Sequence, residues 1–259
     1  MSASELIDAA SVLILRDSAQ GPEVLLTRRA AGMKNFADAW VFPGGREDPE
    51  DATPLPSEQV AGELSAEELC WRRSNRAAVR ETFEETGLRL AHDALVAWSH
   101  WLPPPVMAKR FNTRFFIGPA LANAELNADA REVLEVVWLT PTEAARRARH
   151  GELLSAPPTQ VNLYELEQCA EACTSVEAIM ANARSRQFIT ICARLDRDGE
   201  NFWSVFPWDK RYAQLEPGGA PETIPARYHA LPSRMPAARF MRLGTTRSAL
   251  AGSTANTQK

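Results

Sequence analysis

Glu81, Glu84 and Glu85 stand at i, i+3 and i+4, and that spacing restricts what the chain around them can be. On a helix it stacks three carboxylates on one face. Like charges so close repel, so residues 77–88 must either keep them in water or hold something positive against them. A hard divalent cation answers the second case, because carboxylates and substrate phosphates form its usual oxygen shell. Arg80 adds a planar cation able to hold a carboxylate by a two-pronged contact. Gly87 falls where such a helix turns into the left-handed region and ends. The plain alternative is an acidic, solvated helix face, a common surface feature.

The residues upstream favour the cation. Trp40-Val41-Phe42 reads as a short strand feeding Pro43-Gly44-Gly45. Two glycines let backbone approach a ligand closely and accept positive φ. A lone Gly-Gly would be a weak signal, and it gains weight from the acidic helix that follows it. Residues 46–64 are polar and carry Pro49, Pro54 and Pro56. Ser65 and Glu68 then have capping-box form, so the spacing predicts a helix from Ala66 to about Thr86. Ala77 and Ala78 would allow close packing, with Leu69, Val79 and Phe83 supplying apolar bulk.

Arg80-Glu81-Thr82-Phe83-Glu84-Glu85-Thr86-Gly87-Leu88 resembles the second half of the Nudix box, G-x5-E-x7-R-E-U-x-E-E-x-G-U. Thr82 stands where that family usually has an aliphatic residue. Phe42-Pro43-Gly44-Gly45 is similar to the loop that opens the box. Residues 46–79 separate Gly45 from Arg80, about 21 more than the pattern allows. The early box glutamate then falls to Glu50 or Asp51. An inserted box resembles the coenzyme A diphosphatase-like branch of the family.

The resemblance implies an α/β fold, the Nudix α/β/α sandwich with a mixed twisted sheet and a C-terminal extension. The expected organisation is a domain over residues 1–205, with the box at 44–88 and its insertion at about 46–66. An extension or flap at 206–243 and a disordered tail at 244–259 follow. Mg²⁺ or Mn²⁺ would be held by Glu81, Glu84, Glu85 and Gly45, with Arg80 orienting a box glutamate. The base would be Glu84, Glu85 or a distal carboxylate, Glu132 or Glu135, of which Glu135 is the one taken. Gly44, Arg28, Arg110 and Arg114 would meet substrate; for the three arginines the competing reading is surface charge or structural ion pairing. The implied substrate is a small-molecule diphosphate, with coenzyme A or acyl-coenzyme A first. ADP-ribose, NADH, a nucleotide sugar or a dinucleotide are the alternatives, and a non-hydrolytic ligand sensor is a reading from another class.

The rest of the chain alternates strand and helix signals. Residues 9–16 and 23–29 read as a hairpin around a six-residue loop, 95–102 and 109–117 as strands, and 132–139 as a strand. Thr140-Pro141-Thr142-Glu143 opens a helix that Gly151 closes. Apolar residues from Leu163 to Ile179 recur at helical spacing, as one interrupted helix or two. Residues 188–195 and 201–206 read as strands around a turn at 196–199, and 207–235 as an irregular flap. Weak strands are expected near 226–231 and 239–243. This extension would act as a substrate lid or as the contact of a homodimer, against the plainer role of covering a sheet edge.

Composition excludes little but directs the search. A net charge of −4 provides no basic field for nucleic acid or an anionic membrane. No apolar run has the length of a membrane span. Cys70, Cys169, Cys173 and Cys192 fit no zinc spacing, and core packing is the reading for Cys169 and Cys173. A reduced, cytoplasmic protein with neither a nucleic-acid nor a membrane partner is the expectation.

Overall fold

A computed structural model describes residues 5–32, 36–56, 58, 63–104, 107, 109–121, 125–198, 201–216 and 220–236. The central strand is β1 (Glu5–Ser18), antiparallel to β2 (Gly21–Arg29) on one side and parallel to β6 (Lys109–Pro119) on the other. β3 (Trp40–Val41) and β7 (Val133–Leu139) pair with β2, and β4 (Gly44–Arg46) pairs with β1. β5 (Val96–Leu102) extends the sheet beyond β6, and β8 (Thr190–Cys192) runs parallel to β5 at the edge. A second sheet joins β9 (Arg194–Asp198), β10 (Asn201–Val205) and β11 (Arg234–Pro236).

Side chains alternate across a strand, and here the alternation divides the core. Ala10, Val12, Ile14, Leu25 and Phe116 face α1 (Ala66–Thr86). Leu13, Leu15, Val24, Leu26, Phe115 and Ile117 face the opposite layer, built from α2 (Pro141–His150), α3 (Pro157–Ala172) and α4 (Val176–Ser185). A mixed sheet between helical layers is the α/β/α arrangement.

α1 starts where its capping box predicts. Ser65 accepts from the Glu68 backbone, Glu68 reaches back to the Ser65 N–H, and Gly87 closes the helix at φ 74°. Its buried face differs from the expectation. Leu69 and Phe83 are exposed, while Ser74, Ala77, Ala78 and Thr82 are wholly buried. Small side chains bring the helix axis near the sheet, leaving no room there for large ones.

Other expectations are corrected. The first hairpin turns on two residues, Ala19 and Gln20, because Asp17 pairs with Pro22 and Ser18 with Gly21. The strand expected over 188–195 breaks at Ala193, with β8 joining the main sheet and β9 the small one; the turn expected at 196–199 is largely β9. The stretch 226–230 is a 3₁₀ turn, and the late strand is at 234–236. The strand expected at 239–243 and the tail at 244–259 lie outside the described residues. Residues 206–236 are built into the core: Phe206, Trp208, Tyr228, Leu231 and Met235 join the same cluster as Trp98 and Trp101. Cys169 and Cys173 pack against that cluster, and all four cysteines are free.

Candidate active site

The glycine loop lies against the acidic face of α1. Gly44 and Gly45 sit opposite Ser11 and Ala10 in the β1–β4 pairing. Gly44 has φ 149°, and a Cβ there would meet the Ala10 carbonyl at 2.2 Å. A Cβ on Gly45 would fall 2.2 Å from the Glu81 carboxylate. Gly44 admits no side chain, and one at Gly45 would have to push the Glu81 carboxylate aside, so loop backbone and carboxylate share one small space.

The three glutamates have different surroundings. Glu85 is almost fully buried; its Oε2 accepts the Gly44 N–H at 3.0 Å, and Arg29 Nη1 lies 3.5 Å from its Oε1. Burial pushes its carboxyl up to about 7, helped by the charges of Glu81 and Glu132 and opposed by Gly44 and Arg29. Glu81 is half-buried and is also raised, first by burial, then by Glu84 and Glu132, against the pull of Arg80. Glu84 points outward, with a side chain 56% exposed.

Arg80 ties the helix face together. Its Nη1 donates to Glu81 at 3.0 Å and to Glu84 at 3.1 Å. Its Nε and Nη2 donate to the Asp51 carboxylate at 3.2 and 2.9 Å, and Nη2 also reaches the Arg46 carbonyl at 2.9 Å. Asp51 is buried, and burial alone would raise its pKa; hydrogen bonds from Arg80 and the Asp48 N–H outweigh this and hold it below the usual range. Of the two residues that the inserted spacing left open, Asp51 is the partner of Arg80. It is also the residue six positions beyond Gly45, with five residues between as the box pattern has it, so the extra residues lie between Asp51 and Arg80.

The remaining sequence candidates are distributed elsewhere. Glu135 faces Arg28 across β7 and β2, at 3.4 Å. Arg110 donates its Nε to the Pro103 carbonyl at 3.1 Å. Arg114 is buried beside Ser74, at 3.4 Å, and Asp8, at 3.6 Å. Among the described residues, no hydrogen bond or ion pair joins Arg28, Glu135, Arg110 or Arg114 to the three glutamates. The arginine from β2 that does reach the cluster is Arg29, 3.5 Å from Glu85, and the charge of Glu132 acts on Glu81 and Glu85. A register shift between Arg28 and Arg29 in the β2–β7 pairing interrupts the strand there. Such a bulge re-aims a side chain against simple alternation, and here it is Arg29, next to the Arg28 expected to meet substrate, that lies beside Glu85.

Among the described residues, no three His, Cys, Asp or Glu groups are already drawn together as a bound cation would draw them. Arg80 takes that place, neutralising Glu81 and Glu84. The donor set nevertheless suits a hard cation: oxygen ligands only, with Glu85 buried and Glu81 half-buried, both raised by that burial. Beside Glu84 a cleft of about 420 Å³ opens between Phe83, Gly87, Asn127, Asp129 and Arg131.

Residues 6–156 match the NUDIX domain family, more than half of the chain. The chain belongs to the Nudix family. Nudix proteins are hydrolases of diphosphate-containing substrates and generally use divalent metal ions. Among curated relatives, the chain is 31% identical over 159 residues to the acyl-coenzyme A diphosphatase NUDT19 of Gallus gallus, covering 56% of this chain. It is 31% identical over 163 residues to the m7GpppN-mRNA hydrolase NUDT17 of Xenopus laevis, again covering 56%. It spans 40% and 47% of the lengths of these two relatives. The crystal structure of a Nudix hydrolase from Alicyclobacillus acidocaldarius superposes with a TM-score of 0.57 at 24% identity, over 70% of this chain and 97% of that one. That likeness supports the Nudix fold. No helix among the described residues is long and apolar enough to cross a membrane.

Proposed function

We propose that this chain is a Mg²⁺- or Mn²⁺-dependent diphosphatase acting on a nucleoside diphosphate derivative, with coenzyme A or an acyl-coenzyme A as the leading substrate. The observation that carries the reading is the approach of the Gly44-Gly45 loop to the half-buried carboxylate of Glu81 and the buried one of Glu85. Glu81, Glu84 and Glu85 would hold the cation, which, when bound, neutralises phosphate charge and lowers the pKa of a water. Glu84 must first give up its contact with Arg80. Arg29, with a long contact to Glu85 and a buried Nε lacking a hydrogen-bond partner, would offer its charge to the diphosphate. The water's proton would pass to a carboxylate of this cluster. Glu84, exposed on the helix face, and Glu85, beside the Gly44 N–H, are the carboxylates in reach of such a water.

The inserted box and the similarity to NUDT19 support the coenzyme A class. An equal identity to NUDT17 gives a second reading, a capped nucleotide end; the net charge of −4 argues against a long nucleic-acid contact. Incubation with Mg²⁺ or Mn²⁺ and a mixture of coenzyme A, acyl-coenzyme A, ADP-ribose, NADH, nucleotide sugars, dinucleoside polyphosphates and capped RNA decides, with products identified by mass. Two phosphomonoesters from the coenzyme A compounds are expected. Release of a capped nucleotide alone would favour the second reading, and tight binding without any product would favour a sensor.

A further inference from the structure

The segment that follows Asp51 is fastened to α1 through Arg76, one helical turn before Arg80. Arg76 is 8% exposed. Its Nε donates to the Asp51 carbonyl at 2.6 Å, and its Nη1 donates to the Glu58 carboxylate. Glu58 in turn accepts the Leu55 N–H at 3.0 Å, and its carbonyl accepts from Arg72 at 3.5 Å. One guanidinium thus grips the backbone of Asp51 and the first part of the inserted segment together. The Asp51 side chain, held also by the Asp48 N–H at 2.8 Å, takes the Nε edge of Arg80. The far corner of Arg80 lies on Glu81 and Glu84.

We propose that Arg76 is a positioning residue for the cation site: by fixing Asp51 it sets how firmly Arg80 holds the carboxylates of Glu81 and Glu84. This rests on the metal-site reading above. Arg80 and a cation compete for the same two carboxylates. While Asp51 is held in place, it draws off part of the guanidinium's charge. Release of Asp51 leaves that charge to Glu81 and Glu84, and a cation must then displace a stronger competitor. The insertion is, on this view, the far end of a chain of contacts that adjusts metal affinity. Neither Arg76 nor Glu58 would touch the metal.

The test is a titration of the full chain with Mn²⁺ in the absence of substrate, following free Mn²⁺ by electron paramagnetic resonance. It is run on the parent, Arg76→Met and Glu58→Gln, alongside melting without cation. Outer-shell partners of metal ligands govern about 10–100-fold in affinity, so Arg76→Met should bind Mn²⁺ about tenfold more weakly. Glu58→Gln, which keeps the Nε contact to Asp51, should show a smaller loss in the same direction. A residue that merely anchored the insertion would lower the melting temperature and leave the Mn²⁺ affinity of the folded chain unchanged. Unchanged affinity in both variants overturns the proposal. If Arg76→Met does not fold, Glu58→Gln decides by the same criterion. A parent that takes up no Mn²⁺ overturns the metal-site reading as well, whereas a binding parent with unaltered variants overturns this proposal alone.

Discussion

Gly45 and Glu85 are the residues on which the site's physics is most exposed. A methyl group at position 45 would meet a carboxylate at 2.2 Å, so Gly45→Ala must displace Glu81 or the loop. Its expected outcome is a fall in kcat of about 100-fold, the upper end for disturbed metal surroundings, with an unchanged circular dichroism spectrum. Glu85 carries the pH dependence. Its carboxyl is raised by burial to about 7 from 4.5. A raised folded-state value means that its contribution to stability is fully present below pH 4.5 and is lost as pH rises through about 7. The cation-free chain should therefore melt lower at about pH 8 than at about pH 6, and Glu85→Gln should flatten that slope. Added Mn²⁺ should raise the melting temperature more at the higher pH, where no proton competes for Glu85. A Glu85→Gln chain that kept the full parental slope would remove burial of this acid as the cause.

At the scale of elements, α3, α4 and the late segment are joined by a buried charge cluster. Glu165 is 2% exposed and accepts from Arg186, and from Arg227 at 2.6 Å. Arg186 lies 3.6 Å over the Trp98 ring. Removing the single acid leaves two cations facing a low-dielectric interior, so Glu165→Ala should cost about 3–5 kcal/mol, measured by urea unfolding. Elements were legible in the sequence where local chemistry fixes them. The Ser65–Glu68 box, the Thr140-Pro141 start and the Gly87 and Gly151 stops are all present in the structure. What sequence could not supply was anything decided by a distant partner. The break at Ala193 follows from which sheet each half joins, and the exposure of Leu69 and Phe83 from how closely α1 approaches β1. The distinction between Arg28 and Arg29 rests on a bulge that only pairing with β7 reveals. Asp51, by contrast, was open to counting from Gly45 and became definite through its contact with Arg80.

For the molecule as a whole, the late segment is part of the structure that carries the site. Phe206 stacks on Trp208 and Trp208 on Tyr228, with ring centroids 5.1 and 5.0 Å apart, and Phe206 meets Trp101 of β5 edge-on. Three aromatic side chains of this kind bury roughly 150–250 Å² each. A chain ended after Val205 would expose the other side of Trp101 and the helices above it. It should lose cooperative unfolding and fail to turn over substrate; a soluble, cooperatively melting 1–205 fragment would return the segment to the status of a removable flap. The two layers of core then have separate tasks. The layer of α2, α3 and α4 with residues 206–236 gives the sheet its rigidity, and the thinner layer under α1 sets the distance between loop and carboxylates. The measurement that bears most directly on the site is diphosphate turnover with Mg²⁺ by the parent, Glu84→Gln and Glu85→Gln. Loss of activity by about 100-fold or more in both variants, with melting curves that remain cooperative, is the predicted result, and near-parental rates in both would contradict it.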